Sequence, residues 1–403
     1  MNFLKVDTIE NAREKLLKVT PKLKIENISI HNLLGRIVAE DIISNENIPY
    51  FRRSIVDGYA VISEDTEKSS KNFPTFIENI GYIDIGTITN INLEKNKCCY
   101  VYTGSMVPNG ADSVVMVENT EKIDKKIAIY KKTSKNENIV NIGDDVKINE
   151  IVIKKGTKIS EKHIGLLMAL GIMQVSVYVP LNISIISTGE ELVNPQKEAI
   201  NGKIRDINTY SLKSFSEKNY YNVITTSLIC DNSDLEEKIE SLKTSDIIII
   251  SGGSSKGLKD NSLEIVQKTT NNGVFTYGLA LKPGKPTIIS YDEISDTIIC
   301  CLPGNPVSSL VVFEMLFSWL SLQITNTKKQ FPIYANITQD VFSDKGKLTV
   351  YPCRLIQENV SYKAEPIFAK SAFISSLSNA DGYFIINAGE SIKKGNFVSV
   401  ILL

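Results

Sequence analysis

Asp246-Ile247-Ile248-Ile249-Ile250-Ser251-Gly252-Gly253-Ser254-Ser255-Lys256-Gly257 decides how this chain is read: an apolar run of strand length opens directly into a loop of glycine and serine. Two more Gly/Pro loops follow beside apolar runs, Lys282-Pro283-Gly284-Lys285-Pro286 and Leu302-Pro303-Gly304-Asn305-Pro306. A strand covered on both faces reads as a continuous Ile/Val run, which points to a parallel sheet flanked by helices. In such sheets ligands sit in the crevice beyond the carboxyl ends of the strands, where glycine lets backbone N–H groups approach an oxyanion and helix starts add positive dipole. Asn305 and Pro306 precede the apolar Leu310-Val311-Val312-Phe313, so Asn caps a helix, Pro takes its first position, and the free N–H groups face the loop. This is the layout of an anion pocket.

On both sides of that stretch strands and helices alternate. Strands are expected over 183–187, 223–229, 246–251, 274–277, 287–290 and 297–301, and helices over 209–218, 234–243, 261–270 and 307–324. Beyond Asn326 short β runs at 348–351, 383–386 and 397–402 indicate a small barrel or sandwich. At the other end, Ile9, Ala12, Leu16 and Val19 share one helical face, with Asp7 or Thr8 as cap and Pro21 as stop. Period-2 patches at 59–62, 98–102, 114–117 and 127–130 then alternate with Gly/Asn/Pro turns, and a helix returns from Ser160 to Gly171. The fold class expected is multi-domain α/β plus β. A composite N-terminal unit (1–48 and 146–178) carries an inserted β-rich unit (49–145), followed by a three-layer α/β unit (179–328) and a small C-terminal β-barrel-like unit (329–403).

The 403 residues fit about three domains at roughly 150 residues each. Lys+Arg 45 against Asp+Glu 46 leaves a formal charge of -1, so no global basic field collects nucleic acid or a membrane, and a small-molecule ligand is the better expectation. Cys98, Cys99, Cys230, Cys300, Cys301 and Cys353 contain no Cys-x-x-Cys and fit neither a zinc knuckle nor a disulfide framework, which suggests a reducing cytoplasm. The N-terminus lacks a signal pattern, and Glu314 and Ser318 interrupt the longest apolar run, so a soluble protein is expected. With only His31 and His163 present, carboxylates and lysines must do the chemistry.

The Asp57-Gly58 step reads either as a tight turn or as a carboxylate placed for chemistry. The loop from Tyr102 through Thr103 to Asp112 is polar without a decisive code, and Gly143-Asp144-Asp145 either holds a hard cation or caps a turn. Glu190-Glu191 lies at the end of a buried strand, as helix-capping acids also would. The Gly252-Gly253-Ser254 loop is neither a Walker A nor a dinucleotide fingerprint. Asp260 caps the next helix or ligates a metal near phosphate. Lys282 and Lys285, held between prolines, form a rigid cation pair suited to an oxyanion. A helix start gives an exposed anion only about 0.3–1 kcal/mol, so these lysines must supplement it. Asp57, Asp145, Glu191 and Asp260 would repel that anion unless a divalent cation lay between.

Taken in order, Ser-x-x-Asp-Gly-Tyr-Ala (54–60), Thr-Gly-Ser-x-x-Pro-x-Gly-Ala-Asp (103–112), Gly-Asp-Asp (143–145), Ser-Thr-Gly-Glu-Glu-Leu (187–192), Lys-Pro-Gly-Lys-Pro (282–286) and Leu-Pro-Gly-Asn-Pro-Val-Ser (302–308) closely resemble the molybdopterin molybdenumtransferases, the MoeA type that includes the gephyrin E domain. The resemblance covers nearly the whole chain. It implies four subdomains, a homodimer with the active site between subunits, and insertion of molybdate (or tungstate) into adenylylated molybdopterin with Mg²⁺ and release of AMP. It also implies transient contact with molybdopterin adenylyltransferase. Carried over by position, it implies catalytic or metal-side roles for Asp57, Thr103, Asp145 and Glu191, and further metal-side acids at Asp231 and Asp260. Substrate contacts are implied at Gly252, Gly253, Ser254, Lys282, Lys285, Pro303, Gly304, Asn305, Ser308, Arg354 and Ser371. Two basic residues common in the family are replaced here by Val140 and Gly278, and Asp144 stands for Glu. Two rival readings are the preceding adenylylation of molybdopterin and a non-catalytic dimeric scaffold.

Overall fold

The structure is a computed structural model that describes residues 6–230, 234–252, 262–328, 331–368 and 372–403. At its centre is a six-stranded sheet in the order Asn222–Ile229, Asn182–Thr188, Ile247–Ser251, Thr297–Leu302, Ile288–Asp292, Val274–Tyr277. Its first four strands pair in parallel, and the last two are added through antiparallel pairings. The Ile247–Ile250 run is fully buried, as its continuous apolar sequence requires. One face packs on the helices Asn208–Lys218 and Pro306–Phe313, the other on Leu235–Ser241 and Ser262–Thr269, giving three layers with a core on each side.

The long apolar helix runs Pro306–Thr325 and is apolar enough to cross a membrane, yet it lies mostly inside the molecule and forms the spine of one core. The sequence suggests a plain α-helix there; a π-helical turn instead occupies Glu314–Ser318. Such a turn disturbs the regular backbone ladder, and side chains from elsewhere bond its carbonyls. Arg13 Nε donates to Met315 O at 2.8 Å and Tyr221 Oη to Phe317 O at 2.8 Å. Arg13 also lies 4.9 Å over the Trp319 ring. Glu314 accepts from Ser318 Oγ at 2.6 Å and from Tyr383 Oη at 3.0 Å. The π turn therefore ties the first helix and the C-terminal unit to the central one.

The first helix, Ile9–Val19, is capped by Thr8, whose Oγ1 accepts from Asn11 N at 3.2 Å. Its buried Ile9, Ala12 and Leu16 join the core of the α/β unit. Segments 25–43 and 151–178 share a separate core built around the antiparallel pair Ile25–Ser29 and Gln174–Tyr178. Helix Glu161–Ala169 opens there with a capping box in which His163 Nδ1 accepts from Ser160 N at 3.0 Å. That bond gives one of the two histidines a structural task.

Between those segments stands a second six-stranded sheet, ordered Ser113–Met116, Gly58–Val61, Lys97–Val101, Thr75–Ile83, Lys126–Ile129, Thr120–Ile123, with apolar clusters on both faces. At the C-terminus Leu348–Glu358, Ser361–Pro366, Ile333–Ile337, Phe397–Leu402 and Gly382–Ile386 close into a small barrel, because the first strand also pairs with the last. Leu281–Lys282 of the central unit adds in parallel to Leu348–Thr349 of this barrel.

Arg13→Ala removes one hydrogen bond to the π turn and one cation–ring contact, so chemical unfolding is expected to show a loss of about 1–3 kcal/mol. An unchanged midpoint would mean that the π turn is held without Arg13.

Candidate functional site

Three loops meet where the parallel strands end. Gly252 follows Ile247–Ser251 with φ +108°, and a β-carbon there would stand 2.2 Å from Thr188 O, at the end of Asn182–Thr188. Gly304 lies 3.5 Å from Gly252 Cα, measured from its ideal β-carbon position, and Gly252 N–H donates to Leu302 O at 3.2 Å. Only glycine fits the 252 position, because both space and backbone conformation exclude a side chain.

Asn208 stitches the loops together. Its Nδ2 donates to Ser251 Oγ at 2.8 Å and to Gly304 O at 2.7 Å. Thr209 Oγ1 donates to Ser187 Oγ at 2.8 Å, and buried Asp206 accepts from Thr209 N at 3.2 Å. These three residues were missed in the sequence reading. Asp206, two residues before helix Asn208–Lys218, is a helix-start signal of the capping kind that offered a usable clue.

Asn305 takes the N-cap position and Pro306 the first turn of the long helix, but the Asn305 side chain makes no capping bond. Pro303 and Ser308 are buried beside it, while Gly304 and Asn305 are exposed. Glu191, three residues beyond the end of Asn182–Thr188, is exposed, with its backbone oxygen accepting from Ile204 N at 2.8 Å. Gly253, Ser254, Asp231, Asp260 and Ser371 lie outside the described residues.

The basic turn is fixed from both sides. Leu279 N donates to Lys285 O and Gly278 N to Thr287 O, closing the loop on itself. On one flank Asp7 N donates to Gly278 O and Ala280 N to Asp7 O; on the other, Leu348 N donates to Ala280 O. The Asp7 carboxylate, largely buried, accepts from Thr276 Oγ1 at 2.7 Å and Lys15 Nζ at 2.6 Å, anchoring the first flank. Lys285 is exposed, whereas Lys282 Nζ pairs with Asp344 Oδ2 of the barrel at 3.0 Å. Arg354 is an exposed barrel residue whose Nε donates to Asn379 O at 3.2 Å. Gly278 sits at φ +88°, a backbone that disfavours any side chain at this position.

On the β-rich unit Asp57 is set by the adjoining loop: Gly104 N donates to Ser54 O and Ser54 N to Ser105 O, knitting 54 to 105. Thr103 N and Thr103 Oγ1 then donate to Asp57 Oδ1 at 2.7 and 2.9 Å. The backbone N–H, aided by the hydroxyl, holds the exposed Asp57 carboxyl below its ordinary range. Gly58 must be glycine, since a β-carbon would stand 2.0 Å from Val115 O. In the Gly-Asp-Asp turn, Asp144 Oδ2 caps Asn141 N at 2.7 Å, while Asp145 is exposed and only its backbone N–H is tied, to Ile48 O at 3.0 Å. Val140 lies opposite Arg53 in the ladder, so a cation stands across from this position.

The structure thus gathers Thr188, Asn208, Gly252 and Gly304 at one crevice, and Asp57 with Thr103 at another place. Among the described residues no group of three or more His, Cys, Asp or Glu side chains forms a metal cage, so Asp57, Asp145 and Glu191 do not converge within one chain.

Residues 7–171 match the MoeA N-terminal region (domain I and II), residues 184–321 a probable molybdopterin binding domain, and residues 334–403 the MoeA C-terminal region (domain IV). The chain is 34% identical over 326 residues to a molybdopterin molybdenumtransferase of Haemophilus influenzae, covering 80% of this chain and 78% of that protein. It is 29% identical over 408 residues to one of Staphylococcus epidermidis, covering 98% and 95%. The chain belongs to the MoeA family. A molybdopterin biosynthesis MoeA protein of Pyrococcus horikoshii OT3 superposes with a TM-score of 0.86 at 28% identity, over 99% of this chain and 100% of that one. This MoeA-family chain is a transferase of molybdenum cofactor biosynthesis, with the α/β unit as its molybdopterin-type domain.

Gly252→Ala is expected to cost about 1–3 kcal/mol in urea unfolding through backbone strain alone, whereas Gly304→Ala meets only an ordinary 3.5 Å contact and leaves the midpoint in place. Equal midpoints for the two variants would contradict the crowding. Thr103→Val keeps the backbone donor and removes the hydroxyl, so the Asp57 carboxyl pKa should rise part of the way to its ordinary value in an NMR titration. With a depressed folded pKa, the Asp57 contribution is present above the unfolded pKa and is lost as pH falls through the folded one; the variant moves that loss to higher pH.

Proposed function

We propose that this protein inserts molybdenum, supplied as molybdate, into adenylylated molybdopterin and releases AMP, the last step of molybdenum cofactor assembly. The observation that supports the reading is the close backbone approach of Gly252 and Gly304 beside the helix start at Pro306, in the same unit as the clamped lysine turn. Phosphate of the nucleotide suits the helix start and loop N–H groups, while molybdate oxygens suit Lys282 and Lys285. Pro303, Asn305 and Ser308 line the same helix start. Arg354 lies on the barrel strand that pairs with Leu281–Lys282.

Asp57, Asp145 and Glu191 supply hard oxygen donors for Mg²⁺, an ion commonly held by one or two carboxylates with waters and substrate phosphates rather than by a full protein cage. Bound there, the ion would neutralise the phosphoanhydride and polarise it. Both hydrogen bonds from Thr103 fall on Asp57 Oδ1, which orients the carboxylate while keeping it ionised. The acids belong to the β-rich unit and the strand end at Glu191, the lysines to the α/β unit at its barrel seam. We infer that the β-rich unit of a second copy completes each crevice.

Asp57→Asn is expected to lower molybdate-dependent AMP release from adenylylated molybdopterin by about 10² or more, the scale for losing one charge-stabilising group. Lys282→Ala should raise the molybdate concentration needed for half-maximal release. Mixing the two impaired variants at limiting molybdate should restore turnover above that of either alone, because one crevice of a mixed pair is intact. Full activity of Asp57→Asn would remove the proposal, and failure of mixing to rescue would remove its two-copy form.

A further inference from the structure

Lys282 carries an occupant before any substrate arrives. Its Nζ lies 3.0 Å from Asp344 Oδ2, and Lys347 Nζ reaches the same oxygen at 4.0 Å. Asp344 is not a freely swinging surface acid. Its backbone oxygen accepts from Lys347 N at 3.3 Å and Gly389 N at 3.1 Å, and the preceding Ser343, buried, bonds Lys347 O and Thr349 Oγ1 through its hydroxyl. Gly346, at φ +76°, completes the turn. The partner lysine is fixed equally well, through pairing of Leu281–Lys282 with Leu348–Thr349. Two anchored turns from different units therefore hold opposite charges in contact. Side-chain exposures of 51% and 42% leave the pair open to solvent and to a competing anion.

We propose that Asp344 is the resident counter-ion of the oxyanion subsite, a positioning residue that an incoming dianion must displace from Lys282 and that thereby sets how tightly molybdate binds. The inference rests on the reading that Lys282 is an oxyanion ligand. A doubly charged tetrahedral oxyanion carries more charge than the carboxylate it replaces, and on displacement it gains Lys282, with Lys285 three residues along the turn and Lys347 beside the vacated carboxylate. Until that exchange, Asp344 keeps Lys282 extended toward the seam between the two units and screens it from singly charged anions. The pair is surface-exposed and sensitive to salt, so the exchange is readily reversible.

The test is equilibrium binding of molybdate alone to the full-length protein. Asp344→Asn keeps the backbone bonds of the turn and should tighten molybdate binding about two- to fivefold, the equilibrium factor of an exposed ion pair, with the gain shrinking as salt rises. Asp344→Glu, which restores the charge, should return affinity toward that of the natural chain. In a Lys282→Ala background, where binding is already weakened, Asp344→Asn should add no comparable gain. A merely structural Asp344 would weaken binding on replacement or leave it unchanged; either result, alongside weakened binding by Lys282→Ala, overturns this inference and leaves the proposed function standing. Unchanged binding by Lys282→Ala overturns the oxyanion role of the turn, and this inference with it.

Discussion

Backbone crowding at the carboxyl ends of the parallel strands is the constraint on which the crevice depends. Thr188 O occupies the place that a side chain at residue 252 would need, and the ideal β-carbon of Gly304 comes within 3.5 Å of Gly252 Cα. Chains this close present main-chain groups rather than side chains to a ligand, and N–H groups at a helix start point the same way. Asn208 holds the spacing by bonding Ser251 and Gly304 at once. A larger residue at 252 would push the loops apart, separating the helix start at Pro306 from the strand ends it faces.

A second constraint makes the units act together. The segment from Gly278 to Thr287 leaves the α/β sheet, takes Asp7 along one flank and Leu348 along the other, and returns. Orientation of the barrel and position of the basic turn are therefore set by the same backbone bonds. On the far side of the long helix, the π turn recruits Arg13 from the first helix and, through Glu314, Tyr383 from the barrel. A plain α-helix there would keep its carbonyls within the ladder. The irregular turn gives the junction its polar partners.

How much of this was legible in the sequence follows the range of the forces involved. The continuous apolar run Ile247–Ile250 between helical segments favours a buried strand, and the spacing of Ile9, Ala12 and Leu16 favours a helix with one buried face. Those readings depend on local pattern. Pairings across the chain were not legible. The bond of Lys282 to Asp344 spans 62 residues and that of Asp57 to Thr103 spans 46, so the sequence shows a clamped lysine without its partner and an Asp-Gly step that reads first as a turn. Asn208 was passed over because it follows a stretch without period, and its partners Ser251 and Gly304 are brought near only by the sheet. Asp7 was a candidate cap for the first helix; the structure gives that task to Thr8 and turns Asp7 toward Thr276. The acids of the β-rich unit acquired meaning only from their order along the chain, through resemblance.

The charge pattern then has a physical logic. A helix start and a few loop N–H groups attract an anion weakly in water, and two exposed lysines add modest terms that salt screens. Such a pocket is leaky by itself, and in the proposed site Asp344 weakens it further by holding Lys282. Strong interaction with a phosphoanhydride needs opposing charge on the other side of the ligand and removal of water between, which raises every electrostatic term at once. Asp57 is prepared for that situation: ionised, aimed by two donors from Thr103, and left at the surface of its own chain. An oriented, exposed carboxylate gains little where it stands. It gains most when another body closes over it, bringing phosphate and cation together, and in the proposed two-copy site that body is a second copy of the same chain.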